Sequence, residues 1–567
     1  MRGVRVKWTI DRVIEIIKAK FGKYIKDMYR PMANQVIIVM DKSAAPKATL
    51  FLLKEAGVPE PQLSTVVGTD ERPIRGMFSI IYWVSVNAEG GDAWIGIKTY
   101  LHEDDLKIES ITPLHPGANW YEREIRDLLG IIPVNHPDPR RLVLPDDFPK
   151  NIYPLRKEYD YRSKPTVTPR HVFKRPAEGT VIVPFGPYHA ACDEPYHFRL
   201  YVKGEEIVDA DYRGFYNHRG IEKLAESRLT YNQIPFIAER ICGICGFVHS
   251  TAYCQAVENA MGIDVPERAR YIRTIMLEIE RIESHLLWIG IACHLAGFDT
   301  GFMHAWRIRE KDMWLAERLT GNRKTYGLNV IGGVRRDILE YRKSLALNTL
   351  SELKREYKEF VDMLSSTKSF IKRCEGVGVL PYNKAVAYST TGPTARGSGR
   401  RIDVRKDHPY AAYGELDFKV PVYKDGDVLA RAMVRIDEVW ESIWIIEQAL
   451  DKLPGGPLRA EIKRIEPYRE ALSYDEAPRG ENVHYVMLGR GNKVYRWKVR
   501  APTYNNLPAV PEMLKGYTIA DAPLIIASID PCFSCTERVL VIDVRTGEKK
   551  AYTEREFNYL SIRKSRR

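Results

Sequence analysis

Eight cysteines stand at positions 192, 242, 245, 254, 293, 374, 532 and 535 of the 567-residue chain. Four of them form two C-x-x-C pairs, Cys242/Cys245 in ERICGICGFVHS and Cys532/Cys535 in APLIIASIDPCFSCTER. Four thiolates select a soft metal: zinc, copper(I), nickel or iron. Structural zinc in a four-cysteine site is one reading. Zinc knuckles draw both pairs from a short stretch, whereas Cys245 and Cys532 are 287 positions apart. A thioredoxin-like redox motif needs one pair at a helix start in a βαβ unit, and two pairs among Gly and Pro turns fit it poorly. Spacing leaves three readings: structural zinc or a redox metal held between the ends of two distant segments, or no shared metal. Cys254, Cys293 and Cys374 lie in helix-like stretches and read as buried structural thiols.

Several elements must position these pairs. The length calls for more than one domain. Residues 1–160 read as a small α+β domain. It has an amphipathic opening segment (9–30), strands VIIVM (36–40), MFSIIYWVSV (77–86) and AWIGIKTYL (93–101), and a helix NWYEREIRDLLG (119–130). EGGD between the last two strands signals a hairpin. Residues 161–180, rich in Pro, Lys and Arg, read as a linker. Residues 181–538 are expected to be predominantly α-helical with small β-hairpins. HFRLYVKGEEIVDADY (197–212) turns at Lys203-Gly204, and HYVMLGRGNKVYRWKV (484–499) turns at its Gly-Arg-Gly-Asn. In 266–290 the apolar residues Ile272, Ile275, Met276, Ile279, Ile282, Leu286 and Ile289 recur at three- and four-residue steps, one face of a helix; 338–372 and 431–452 behave alike.

Composition excludes several classes. Hydrophobic residues at 44% and charged residues at 28% describe a globular chain with a large core. No apolar run reaches the ~20 residues of a membrane span, and the charged N-terminus is no secretory signal. The sparse cysteines indicate a reducing compartment. The net charge of +12 is diffuse, and without a recognised motif it does not point to nucleic acid. Eight Lys/Arg against four Asp/Glu fall in residues 539–567, a compositionally distinct tail. No G-x-G-x-x-G or Walker A motif is present.

The residues around the pairs narrow the chemistry. R-x-C-G-x-C-x-x-x-H (Arg240 to His249) and D-P-C-x-x-C-x-x-R (Asp530 to Arg538) resemble the two metal-binding motifs of nickel-iron hydrogenase large subunits, in the same order. HFRLYVKGEEIVDADYRGFYNHRGIEKLAE, VPERARYIRTIMLEIERIESHL and EAPRG (476–480) are similar to that family as well. Residues 1–160 resemble the hydrophilic connector subunit of respiratory complex I through EREIRDLLGIIPVNHPDPRRLVLPDD (122–147). A connector fused to a hydrogenase large subunit is the arrangement of formate hydrogenlyase-type, membrane-associated hydrogenases.

The resemblance implies a role for particular residues. Cys242 and Cys532 would be terminal on nickel; Cys245 and Cys535 would bridge to an iron carrying CO and cyanide. His249 would hydrogen-bond a bridging thiolate. Arg479 would hang over the open metal position and polarise H2. Ser528 would donate to a cyanide, Asp530 would brace the DPC turn and Arg479, and Pro478 would line the iron ligands. The family's R-x-E-G-H glutamate falls on Pro195 of DEPYH (193–197), which leaves Glu194 as the candidate proton relay. Glu222 falls at a family magnesium ligand, but Arg538 replaces that ion's C-terminal His, so Glu222 is expected to pair with Arg538 or another base. Residues 539–567 resemble the extension that a maturation endopeptidase removes after nickel insertion, between Arg538 and Val539.

After the four ligands no ferredoxin-type spacing remains, so no iron–sulfur cluster is expected in this chain. Electrons would come through an iron–sulfur small subunit related to complex I, within a cytoplasmic assembly attached peripherally to the cell membrane through further electron-transfer and membrane subunits. A non-catalytic, complex I-like scaffold with a four-cysteine structural metal is the alternative.

Overall fold

The computed structural model describes residues 8–88, 91–146, 148–163, 165, 178–186, 196–215, 218–462, 466–532, 541–542 and 549–550. Cys192, Glu194, Cys535, Arg538 and Val539 lie outside them, as does most of the 161–180 linker.

The opening segment divides where its pattern changes. Helix α1 (Ile10–Phe21) is capped by the Thr9 hydroxyl and buries Ile10, Val13, Ile14, Ile17 and Phe21, the spacing of one helical face. The amphipathic opening segment, 9–30, thus holds two elements, as strand β1 (Ile25–Met32) takes up its second half. Then come β2 (Gln35–Met40), α2 (Ala45–Lys54), β3 (Gln62–Asp70), β4 (Phe78–Ala88) and β5 (Gly91–Leu101). They form a five-stranded sheet in the order β1-β2-β5-β4-β3. Strands β4 and β5 make the expected antiparallel hairpin, while β2 runs parallel to β5. Both faces of β4 are buried. Ile80, Tyr82, Val84 and Val86 join α1 and α2 in one core, whereas Ile81 and Trp83 join another. That explains why apolar residues occupy consecutive positions in MFSIIYWVSV. Helix α3 (Asn119–Leu129) follows and ends at Gly130 in the left-handed region.

The second part begins with a three-stranded sheet of β6 (Val181–Phe185), β7 (His197–Lys203) and β8 (Glu206–Arg213). Helices follow: α4 (Ile221–Ser227), α5 (Gly246–Met261), α6 (Glu267–Leu295), α7 (Asp299–Thr320), α8 (Glu340–Ser366) and α9 (Val428–Asp451). Helix α6 departs from the one-face expectation and is buried on all sides. Its polar residues are paired in the interior. Arg273 meets Glu258, Glu278 meets Arg281 and Arg405, Glu283 meets Arg309, and His285 meets Glu438. Buried charges persist only with such partners. Cys254, Cys293 and Cys374 are buried.

Strands β9 (Glu470–Ala477), β10 (Gly480–Leu488) and β11 (Val494–Arg500) form a sheet, one strand more than the expected hairpin. Far from being peripheral, it lies between the two parts of the chain. Leu472, Tyr474, Val483, Tyr485 and Met487 face the N-terminal sheet. Ala471, Val486 and Leu488 face α5, as the period of two dictates. Trp94 stacks on Tyr474 with ring centroids 4.5 Å apart. The Gln35 amide donates to Leu472 O and accepts from Leu472 N at 2.8 and 3.1 Å. Burying each such apolar side chain stabilises by roughly 1.5–3 kcal/mol. Helix α10 (Ala522–Ser528) leads into the second cysteine pair. Within the tail, 541–542 pair antiparallel with 549–550. Among the described residues no helix is long and apolar enough to cross a membrane.

Candidate metal centre

The two cysteine motifs meet. Cys242 Sγ lies 3.0 Å from Cys532 Sγ across 290 positions of sequence. Cys242, Cys245 and Cys532 are all buried. The backbone N–H groups of Ile244 and Cys245 donate to Cys242 Sγ at 3.3 and 3.2 Å, so the loop itself favours a thiolate there. Burial beside Cys242 pushes the Cys245 thiol up, first through its hydrogen bond to Cys242. Metal-free, the cluster resists carrying several negative charges, and a soft cation is the group that relieves this. Among the described residues no three or more His, Cys, Asp or Glu side chains are grouped closely enough to hold a metal ion; Cys535 falls outside them.

Each motif is pinned by the fold. Cys245 is the N-cap position of α5, and its chain continues into two backbone donors, Phe247 N and Val248 N. Both are taken by the Glu280 carboxylate of α6, at 2.8 and 2.9 Å. Burial raises Glu280 to about 8. The second motif leaves α10 through Asp530, at φ +54°. Trp288 Nε1 donates to Ala527 O at 2.7 Å, Arg435 donates to Ser528 O at 3.1 Å, and Cys532 N donates to Thr503 Oγ1 at 3.1 Å.

Arg479 sits in the two-residue turn between β9 and β10, where Ala477 pairs with Gly480. Its Nε donates to Asp530 O and its Nη2 to Asp530 Oδ1, both at 2.7 Å, and its Nη1 donates to Ser284 Oγ at 3.1 Å. Burial works against its charge, but Asp530 and the thiols of Cys242, Cys245 and Cys532 hold it protonated. A planar fork held at three points is a fixed cation. Gly480, at φ +127°, packs so closely on Gly392 that a Cβ would lie 2.5 Å from Gly392 N. Asp530 Oδ2 has no partner among the described residues. Burial raises the Asp530 carboxyl against the pull of Arg479 and Arg435.

His249, the fourth residue of α5, is buried and joins its Nδ1 to His484 Nε2 at 3.1 Å. Its Nε2 has no partner among the described residues. Burial lowers it to about 4, with Cys242 near enough to oppose the shift. Pro478 is buried beside Arg479. Ser528 spends its hydroxyl on Ile525 O at 2.6 Å rather than pointing an unused donor at a ligand.

Glu222 lines a small, partly open cavity of about 60 Å³ with Glu124, Arg219, Ile241, Lys498 and Tyr504. It accepts from Arg496 at 2.7 Å and from Val499 N at 3.0 Å, with Lys498 Nζ 3.8 Å away. Arg496 is shared with Glu226 and Lys498 with Glu124, and a carboxylate already engaged in such a network of acids and bases does not fit a magnesium ion. The expected basic partner is Arg496.

The soft donor set, the fixed Arg479 and the unspent His249 Nε2 fit a thiolate-held nickel-iron group. Comparison with known proteins agrees. Family models match for the respiratory-chain NADH dehydrogenase 30 Kd subunit over residues 38–165 and for its 49 Kd subunit over 296–475 and 465–538. A nickel-dependent hydrogenase model matches 219–322. Formate hydrogenlyase subunit 5 of Escherichia coli is 47% identical over 93% of this chain and 93% of that protein. The chain belongs to the complex I-related nickel-iron hydrogenase large subunits. Hydrogenase-4 component G of the same organism is 44% identical over 98% of both proteins. A chain of an archaeal respiratory complex, the membrane-bound sulfane sulfur reductase, superposes with a TM-score of 0.61 at 36% identity, covering 64% of this chain and all of that one. As a hydrogenase, the chain is an oxidoreductase, and its N-terminal part is of the complex I 30 Kd type.

Sequence reasoning missed Glu280, Ser284, Thr503, Arg435, His484 and Trp497. Glu280 and Ser284 stand four apart on α6, beside an apolar stripe, a weak sign of a shared polar face. His484 and Trp497 carry no local signal.

Proposed function

We propose that this chain is the catalytic subunit of an energy-converting hydrogenase, reducing protons by 2H+ + 2e− → H2 or running the reverse. The observation that carries this reading is the convergence of Cys242 and Cys532 at 3.0 Å beneath a buried, charged Arg479. Cys242 and Cys532 would hold nickel alone, and Cys245 and Cys535 would bridge to iron bearing CO and cyanide. When bound, the group supplies the redox change and the open position at which H2 forms. Arg479 presents a fixed positive charge there, and Asp530 keeps its guanidinium oriented. The buried walls exclude bulk water, so protons must arrive through specific side chains, with Glu194 as the proposed relay.

The relatives, formate hydrogenlyase subunit 5 among them, support a formate hydrogenlyase-like assembly. In it an iron–sulfur small subunit would pass electrons, the chain would sit peripherally at the cell membrane through partner subunits, and an endopeptidase would cut after Arg538 once nickel-insertion proteins had loaded the site. A sulfane sulfur reductase shares the fold, so the assay has two readouts. The complex purified from its native host is expected to hold about one nickel and one iron per chain, to show CO and cyanide infrared bands, to end at Arg538 by mass and to evolve H2. Zinc alone, or sulfide release from polysulfide with no H2, overturns the reading.

A further inference from the structure

Three rings behind the cluster form a hydrogen-bonded chain. Trp497 Nε1 donates to His484 Nδ1 at 3.2 Å, and His484 Nε2 lies 3.1 Å from His249 Nδ1. All three side chains are buried. An indole N–H can only donate, so His484 Nδ1 must present its lone pair, and the proton of His484 resides on Nε2. That N–H points at His249 Nδ1, which must therefore be a lone pair as well. The remaining nitrogen, His249 Nε2, then carries a hydrogen. Of the nitrogens of these three rings, it alone has no partner among the described residues.

We propose that Trp497 and His484 are positioning residues that lock His249 as an Nε2–H donor directed at the thiolate cluster. The inference deepens the metal-centre reading and rests on it for the identity of the acceptor. It has a mechanistic consequence. Were His249 to release its Nε2 proton to a thiolate, it could be reprotonated at Nδ1 by His484 Nε2–H. His484 would then need a proton at Nδ1, and the indole cannot give one up. The ring relay is thus a dead end for protons: in the loaded site His249 would tune thiolate electron density by donating a hydrogen bond from Nε2, and would not carry catalytic protons.

The test uses the full-length, metal-free chain labelled with 15N-histidine, with the His249 and His484 signals assigned by single His→Gln variants. Both rings are expected to show a protonated Nε2 and a lone-pair Nδ1, and Trp497→Phe should let His484 populate the Nδ1–H form. A protonated Nδ1 on either ring of the unaltered chain, or no change in Trp497→Phe, overturns the proposal. In the assembled enzyme His484→Gln keeps both functions, since its carbonyl accepts from Trp497 and its amide donates to His249. It should retain at least about half the H2 rate, while His484→Leu loses roughly tenfold, the scale of removing an orienting partner behind a metal ligand. Equal losses in the two variants overturn it. The nuclear-spin readout stands even if the native complex proves to hold no nickel, so failure of the proposed function and failure of this inference are separable.

Discussion

At the residue scale, the geometry makes Arg479 and Glu280 the informative targets. Arg479 spends three donors on Asp530 and Ser284, which a lysine ammonium cannot reproduce in one plane. Arg479→Lys is expected to lower the H2 rate by about 10²-fold or more with nickel content unchanged. A variant retaining a tenth of the rate or more in a hydrogen-evolution assay would remove Arg479 from the machinery. Glu280 titrates at about 8 in the folded chain against an ordinary 4.5. Its folded value is raised, so its contribution to stability is complete below pH 4.5 and is lost as pH climbs through 8. Replacing it with the permanently neutral Glu280→Gln should therefore help progressively as pH rises, by up to a few kcal/mol. Thermal unfolding of both forms at pH 5 and pH 8 checks the sign: the gap between variant and parent must move in the variant's favour at the higher pH.

At the element scale, the site is a meeting of turns rather than of helices. Arg479 is aimed by the tight β9–β10 turn, and Cys532 by the exit from α10. Gly480 carries that turn at φ +127° with Gly392 behind it. Gly480→Ala combines a strained backbone with a steric conflict and should cost about 1–3 kcal/mol. It should also lose metal from the purified complex, because the turn must shift. Unchanged melting together with full nickel occupancy would contradict this. The short sequence EAPRG carries the resemblance, but its conformation follows from the strands on either side. Strand β9 was not legible, since Glu470–Ala477 mixes buried acids with apolar residues. Two of those acids rely on distant partners, Lys98 for Glu470 and Arg396 for Glu476.

At the scale of the whole molecule, the N-terminal part works as a wall for the part that carries the cysteines. Its sheet covers the outer face of β9 and β10, whose inner face carries His484 toward α5. Trp94 is fully buried against Tyr474, and truncating such a ring costs about 3–5 kcal/mol. Trp94→Ala is accordingly expected to destabilise the hairpin and lower nickel content although it lies outside the metal site. Hydrogen exchange resolved by segment offers the check, with faster exchange expected in residues 470–488. Protection equal to the parent's would mean that the fused domain is only a tether.

The sequence by itself determined the chemistry available: two soft-metal pairs, an arginine and an aspartate within reach of a motif, and helices and strands whose periods set which faces are apolar. Those features are local, because side-chain periodicity and turn residues act over a few positions. Only the tertiary structure decided that Cys242 meets Cys532, that Asp530 rather than a surface acid holds Arg479, and that Glu222 is neutralised by Arg496. It also decided that the polar residues of α6 face inward and that His249 is backed by His484 and Trp497. Each of these joins elements far apart in the chain, and a buried charge or ring nitrogen finds its partner through the packing of whole faces, which no short window of residues encodes.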